Sequence, residues 1–222
     1  MKIKGAIFDM DGTLVDSLMF WDWLWAQIGE KYMGDKSFRP CDEVNRAVRT
    51  MIYTEATEYI RSYYNIPVTR EEFFAFANGG TADFYRNEVK TKAGAVELLE
   101  YLRSKGIKIC LASATQMSEI KTALECLDIQ KYFDGVLSCA DIGIGKDRPD
   151  IYLMARDLIG ASEEDLCVFE DSFVALETAK KAGFQTVGIF DKYNFGQDRL
   201  EAASDIYVKE GESLAVLISS IE

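Results

Sequence analysis

Two aspartates, Asp9 and Asp11, stand one residue apart in AIFDMDGTLVDS (residues 6–17), after an apolar run and before a Gly-Thr turn. Three further stretches place polar groups after a short apolar run: Ser113-Ala114-Thr115, Lys146 in GKDRPD, and Glu170-Asp171-Ser172. Each taken alone reads as ordinary structure, whether an Asp-Gly turn, a helix cap or a solvated loop lysine. Together they offer carboxylates, hydroxyls and a lysine, a set suited to phosphoryl transfer. Clustered carboxylates make a hard-cation site, and Mg2+ is the usual occupant beside phosphate. A carboxylate can also attack phosphorus and form an aspartyl-phosphate, a reaction that rests on positioning and charge neutralisation. Asp9 is the expected nucleophile, ionised and bound to Mg2+. Asp11 is the expected acid and base, its proton affinity lifted by neighbouring carboxylates above the free value of about 3.9. Ser113, the backbone N–H groups at the helix start that includes Ala114, and Lys146 would hold the phosphoryl oxygens.

Composition removes most other chemistries. The 222 residues contain no histidine, which excludes Ser-His-Asp triads and most catalytic zinc sites. No cysteine has an arginine six positions on, so a cysteine-phosphatase loop is absent. The GIGK stretch ending at Lys146 lacks the upstream glycine of a P-loop and has Asp147 where Ser or Thr should follow. A net charge of −12 argues against nucleic acid or an anionic membrane as partner. The five cysteines form no CxxC pair, and Cys110 and Cys167 sit in apolar runs, which reads as reduced thiols in a cytoplasmic setting. No signal peptide is expected from MKIKGAIFDM, and no run approaches the roughly 20 apolar residues of a membrane span. A monomer is expected.

The elements that would position these groups are legible as alternation. Short apolar runs start at Ile3, Ile107, Gly135, Leu166, Thr186 and Ile206, and suit strands covered on both faces. Between them run helical patterns: Ala95, Leu98, Leu99 and Leu102, closed by Gly106; Ile120, Ala123, Leu124 and Leu127; and Ile151, Met154, Ala155 and Leu158 after Pro149. Strand and helix in turn imply a parallel sheet with helices on both faces. In such sheets ligands bind beyond the carboxyl ends of the strands, where the four polar stretches fall. Residues 16–91 differ: they show no strand pattern and hold 15 of the 27 aromatics. They read as a helical insert after the first strand.

The DMDGT stretch, Ser113, Lys146 and EDS resemble the four motifs of the haloacid dehalogenase-like hydrolases, and KDRPDIY and AGAVELLEYLRSKG are similar to the beta-phosphoglucomutase-like branch. The resemblance covers nearly the whole core. It implies an α/β fold, a Rossmann-like parallel sheet core with helices on both faces (residues 1–15 and 92–222) and an inserted α-helical cap domain (residues 16–91). It implies Mg2+ held by the Asp9 side chain, the Asp11 backbone carbonyl and Asp171, with Glu170 on the metal or beside it, and Thr13 supporting the loop. An aspartate at position 11 sets the chain apart from the family's dehalogenases, which lack it, and from its transport ATPases, which carry threonine there.

The activity this implies is Mg2+-dependent hydrolysis of a small phosphorylated metabolite, a sugar phosphate by expectation. The alternative is a hexose-phosphate mutase. DGT rather than DGV, and RPCDEVNRAVRTM where mutases have a Gly-x-Ser-Arg type loop, favour the phosphatase. A phospho-aspartate receiver uses similar residues but is shorter and has no such insert. The insert is expected to choose the substrate, with Arg39, Arg46, Arg49 and Trp21 as candidate contacts. A solvated face for the arginines, and a packed core for Trp21, Trp23 and Trp25, are the competing readings.

Overall fold

A computed structural model describes residues 1–48, 51 and 53–221. The apolar runs become strands: β1 (Gly5–Phe8), β4 (Lys108–Ser113), β5 (Gly135–Ser138), β6 (Leu166–Glu170), β7 (Gln185–Ile189) and β8 (Ile206–Val208). They form one parallel sheet in the order β5-β4-β1-β6-β7-β8. β1 is central, and the chain crosses it between β5 and β6, so the direction of winding changes beside β1. A crevice for ligands is expected at that point. Phe8 lies level with both Leu111 and Phe169, so Asp9 emerges level with the end of β6.

Side-chain alternation assigns the faces. Ile7, Cys110, Ala112, Leu166 and Val168 pack with Ile151, Tyr152 and Ala155 of α8 (Asp150–Ile159) and Ala179 of α9 (Phe173–Lys181). Phe8 and Phe169 point the other way and stack with ring centroids 4.1 Å apart. All of these residues are buried, as a sheet covered on both sides requires. Helices α5 (Ala95–Ser104), α6 (Met117–Cys126), α7 (Cys139–Ile142) and α10 (Gln197–Ala203) complete this unit, residues 1–18 and 89–222.

Two details differ from the sequence reading. Residues 16–91 read as free of strands, yet β2 (Val15–Asp16) pairs antiparallel with β3 (Lys90–Thr91) where the chain leaves and rejoins this unit. Two-residue strands carry no period for a pattern to reveal. In α8 the expected apolar stripe included Met154 and Leu158, which are 40% and 56% exposed; Tyr152 and Ile159 are buried instead. Packing on the sheet covers Ile151, Tyr152, Ala155 and Ile159, a face rotated from the one that hydropathy alone selects.

Residues 19–88 form the second compact unit, built from α1 (Phe20–Ile28), α2 (Asp42–Val48), α3 (Tyr53–Tyr63) and α4 (Arg70–Asn87). A Thr69/Glu72 capping box starts α4. Its core is aromatic: Trp25 is fully buried and meets Tyr64 and Phe38 edge-on, and Phe20 meets Phe84. Among the described residues no helix is long and apolar enough to cross a membrane.

The β7–β8 edge carries a pH-sensitive clasp. Asp205 Oδ2 accepts hydrogen bonds from Thr186 N (2.8 Å) and Oγ1 (3.0 Å), and Asp205 Oδ1 from Lys180 (3.0 Å). Partial burial pushes the carboxyl up, but Lys180 and Thr186 outweigh it and hold Asp205 below the ordinary 3.8. A depressed carboxyl stabilises the fold above its unfolded pKa and loses that contribution as pH falls through the folded one. Asp205→Asn is therefore expected to cost about 1 kcal/mol at pH 7, discounted for partial exposure. The gap from wild type should shrink below about pH 4, measured by urea denaturation across pH.

Candidate active site

The loop after β1 is shaped by one carbonyl and one glycine. Met10 O accepts from the backbone N–H groups of Thr13, Leu14 and Val15 (3.3, 2.9 and 3.0 Å), folding the chain back on itself. Gly12 takes a positive φ of 84°, and a Cβ there would lie 2.2 Å from Asp171 Oδ2. Only glycine allows both the turn and this close approach. The turn leaves Asp9 buried and hydrogen-bonds its N–H to Phe169 O on β6 (3.0 Å).

Residues 170 and 171 arrive at the same level from β6. Oxygens of Asp9, Glu170 and Asp171 all lie within 4.8 Å of one another, and all three residues are buried. Alternation turns Glu170 to the side that carries Val168 and α8. There its Oε1 accepts from Tyr152 OH (2.9 Å) and from Lys146 Nζ (2.6 Å). The same ammonium donates to Asp9 Oδ1. Lys146 is therefore no solvated loop lysine: its side chain is 10% exposed and bridges two loops.

Charge at the site is lopsided. Burial lifts the Asp9 carboxyl to about 7, opposed by Lys146 and aided by Glu170 and Asp11. Burial, with Asp9, Glu170 and Asp191 nearby, pushes Asp171 far up. Burial alone would lower Lys146, but Asp9 and Glu170 reverse this and hold it firmly protonated. Asp171 is bonded by neutral donors, Thr13 Oγ1 on Oδ1 (3.0 Å) and Asn194 Nδ2 on Oδ2 (2.5 Å). Burial thus opposes ionising all three acids together; fully ionised they would leave two negative charges beyond the one ammonium, and their ligand atoms are all oxygen. This set fits a hard divalent cation.

Asp11 faces elsewhere. Ser17 Oγ donates to its Oδ1 (2.6 Å) and Thr115 Oγ1 to its Oδ2 (2.6 Å), with Ser113 Oγ at 3.5 Å. Buried Ser113 in turn accepts from Thr115 N (3.1 Å), and Ser138 Oγ ties the loop through Thr115 O (2.7 Å). The ends of β1, β4 and β6 and the loop bearing Lys146 thus build two adjoining clusters, one of three acids and an ammonium, the other of Asp11 and hydroxyls.

A family model for haloacid dehalogenase-like hydrolases matches residues 3–183. The chain belongs to this family. It is 30% identical over 216 residues to a phosphorylated carbohydrates phosphatase of Thermotoga maritima, covering 97% of this chain and 98% of that one. It is 24% identical over 221 residues to a phosphoglycolate phosphatase of Shigella dysenteriae, covering 88% and 84%. A crystal structure of a Thermotoga maritima protein that carries a provisional beta-phosphoglucomutase name superposes with a TM-score of 0.80 at 29% identity, over 98% of this chain and 99% of that one. The protein is a phosphoric monoester hydrolase of the haloacid dehalogenase-like family.

Of the residues singled out in the sequence, the hydrolase fold brings Asp9, Lys146, Glu170 and Asp171 into one cluster, with Asp11 and Ser113 in the adjoining one; Ala114 is exposed at the same loop. The Asp11 side chain stands outside the carboxylate triad. Arg46 and Trp21 belong to the helical unit, where Trp21 makes ring contacts with Phe20 and Tyr53. Arg39 donates to the Phe38 carbonyl (2.7 Å), and Arg49 lies outside the described residues. Sequence reasoning missed Tyr152, Asn194 and Ser17. Ser17 was within reach, since it closes the first motif stretch. Tyr152 was hidden in an apolar stripe and Asn194 in a turn-like NFG.

Gly12→Ala follows directly from this geometry. The positive φ and the contact with Asp171 should cost about 1–3 kcal/mol in a urea titration. Displacing Asp171 should lower phosphatase activity about 10²-fold or more.

Proposed function

We propose that the enzyme hydrolyses a small phosphorylated carbohydrate with Mg2+ as cofactor and Asp9 as nucleophile. The observation that carries this reading is the buried Asp9–Lys146–Glu170–Asp171 cluster, whose excess negative charge a divalent cation balances. The carbohydrate preference rests on the likeness to the Thermotoga maritima phosphatase. Asp9, Glu170 and Asp171, with the Asp11 backbone carbonyl, would hold Mg2+. When bound, it supplies positive charge against the phosphoryl oxygens.

Asp9 carboxylate oxygen attacks phosphorus, and the bond to the ester oxygen breaks. Asp11 delivers a proton to that leaving oxygen. It then takes a proton from water, which attacks the aspartyl-phosphate and frees inorganic phosphate and Asp9. Lys146, Ser113 and the Ala114 N–H receive the phosphoryl oxygens. Residues 16–91 would serve as the cap that selects the ester, with Arg46, Arg49 and Trp21 as contacts.

The test is phosphate release from a panel of sugar phosphates and other small esters. Release is expected to need Mg2+ and to stop on chelation. Asp9→Asn should remove it, and Asp11→Asn should slow it about 10²–10⁴-fold. With beta-glucose 1-phosphate, glucose 6-phosphate formed without phosphate release would replace this reading with the mutase one.

A further inference from the structure

The loop after β7 plays no part in the mechanism above, yet it is braced at several points. Lys92 Nζ, its side chain 14% exposed, donates to Asp191 Oδ2 (2.8 Å) and also pairs with Asp16 Oδ1 (3.2 Å). Asp191 Oδ1 accepts from Tyr193 N (2.9 Å), and Asp191 O from Asn194 N (3.0 Å). Gln197 Nε2 donates to Asp191 O (2.9 Å) and to Asn194 O (3.3 Å), and Gln197 Oε1 accepts from Tyr207 OH on β8 (2.9 Å). Asp191 is itself buried. Holding a buried carboxylate and a nearly buried ammonium at a loop is costly unless both are satisfied. Here the loop ends by aiming one side-chain amide inward: Asn194 Nδ2 donates to Asp171 O (3.1 Å) and to Asp171 Oδ2 (2.5 Å).

The amide nitrogen carries two hydrogens, enough for both bonds. The bond to the backbone oxygen fixes the amide plane, and the bond to Oδ2 then fixes the carboxylate. Thr13 holds Oδ1 from the opposite side (3.0 Å). Each Asp171 oxygen keeps a lone pair for a cation, while the carboxylate plane is no longer free to turn. Groups that orient a metal ligand commonly change metal affinity 10–100-fold when removed.

We propose that Asn194, set in place by Lys92, Asp191 and Gln197, is a positioning residue for Asp171 and tunes the affinity for the divalent cation. This rests on the reading of Asp171 as a cation ligand. Lys92 also lies next to the β2–β3 ribbon through its N–H on Leu14 O (2.8 Å), so the frame that holds Asn194 is anchored where the chain leaves and rejoins the sheet unit.

The full chain, stripped with EDTA and titrated with Mg2+, tests this through its thermal midpoint, a readout independent of turnover. Wild type should rise in midpoint with Mg2+. For Asn194→Ala the half-saturating Mg2+ should increase about 10–100-fold. Gln197→Ala, which loosens the loop without touching Asp171, should shift in the same direction by less, and keeps the proposal testable should Asn194→Ala fold poorly. Lys192→Ala, an exposed neighbour, should superimpose on wild type. In turnover, Asn194→Ala should need more Mg2+ yet keep the wild-type KM for the ester at saturating Mg2+. An Asn194→Ala half-saturation within twofold of wild type overturns the proposal, whatever its midpoint in EDTA. A wild type whose midpoint ignores Mg2+ would overturn the cation reading itself.

Discussion

The Lys146 ammonium, shared between Asp9 and Glu170, is the interaction on which the site depends. Parallel pairing of β1 with β6 brings their carboxyl ends to one level, and both strands end in acids. That register concentrates negative charge in a place closed off from water. Buried ions of one sign are tolerated only with a partner and a full set of hydrogen bonds. One lysine, delivered by the loop before α8, meets two of the three carboxylates. The third, Asp171, has only the neutral donors Thr13 and Asn194 on its carboxylate among the described residues. The protein part of the site is thus electrostatically incomplete in a way that a cation and a phosphoryl group together complete.

Other features read as consequences of holding that cluster. Gly12 is needed because Asp171 passes where a side chain would stand. Tyr152 extends from α8 to take the remaining demand of Glu170 Oε1, which is why a phenol hydroxyl sits in an otherwise apolar helix–sheet seam. Cys139 lies in the same seam, and burial pushes its thiol up to about 11. A thiol so reluctant to ionise adds no further negative charge next to Lys146.

The sheet was legible in the sequence because its strands are short, apolar and separated by helices with clear periods. β6 and β8 coincide with the runs LCVFE and IYV. The motif residues were legible because the carboxyl ends of parallel strands are where polar residues interrupt apolar runs. What stayed hidden depends on three-dimensional register. Met154 and Leu158 share a helical face with Ile151, but which face meets the sheet is set by packing geometry, and Tyr152 took the buried place. Asn194 and Asp171 are 23 positions apart, and nothing local to NFG signals that its amide will meet an acid. The β2–β3 ribbon exists only because two distant dipeptides are brought together.

Asp9 and Asp11, two like charges one residue apart, meet very different surroundings in the structure. The Asp9 carboxyl is pushed up first by burial, ahead of any neighbouring acid. The two aspartates are separated by surroundings: one lies among acids and an ammonium, the other among hydroxyls. Alternation alone would point Asp9 and Asp11 to the same side, so it is the Met10–Gly12 turn that gives each its own environment. With Ser17 and Thr115 both donating, Asp11 is an acceptor on both oxygens. Each carboxyl oxygen has a second lone-pair site, so the two hydroxyls fix the plane of Asp11 without using up its hydrogen-bonding capacity, and Thr115 is itself fastened through Ser138.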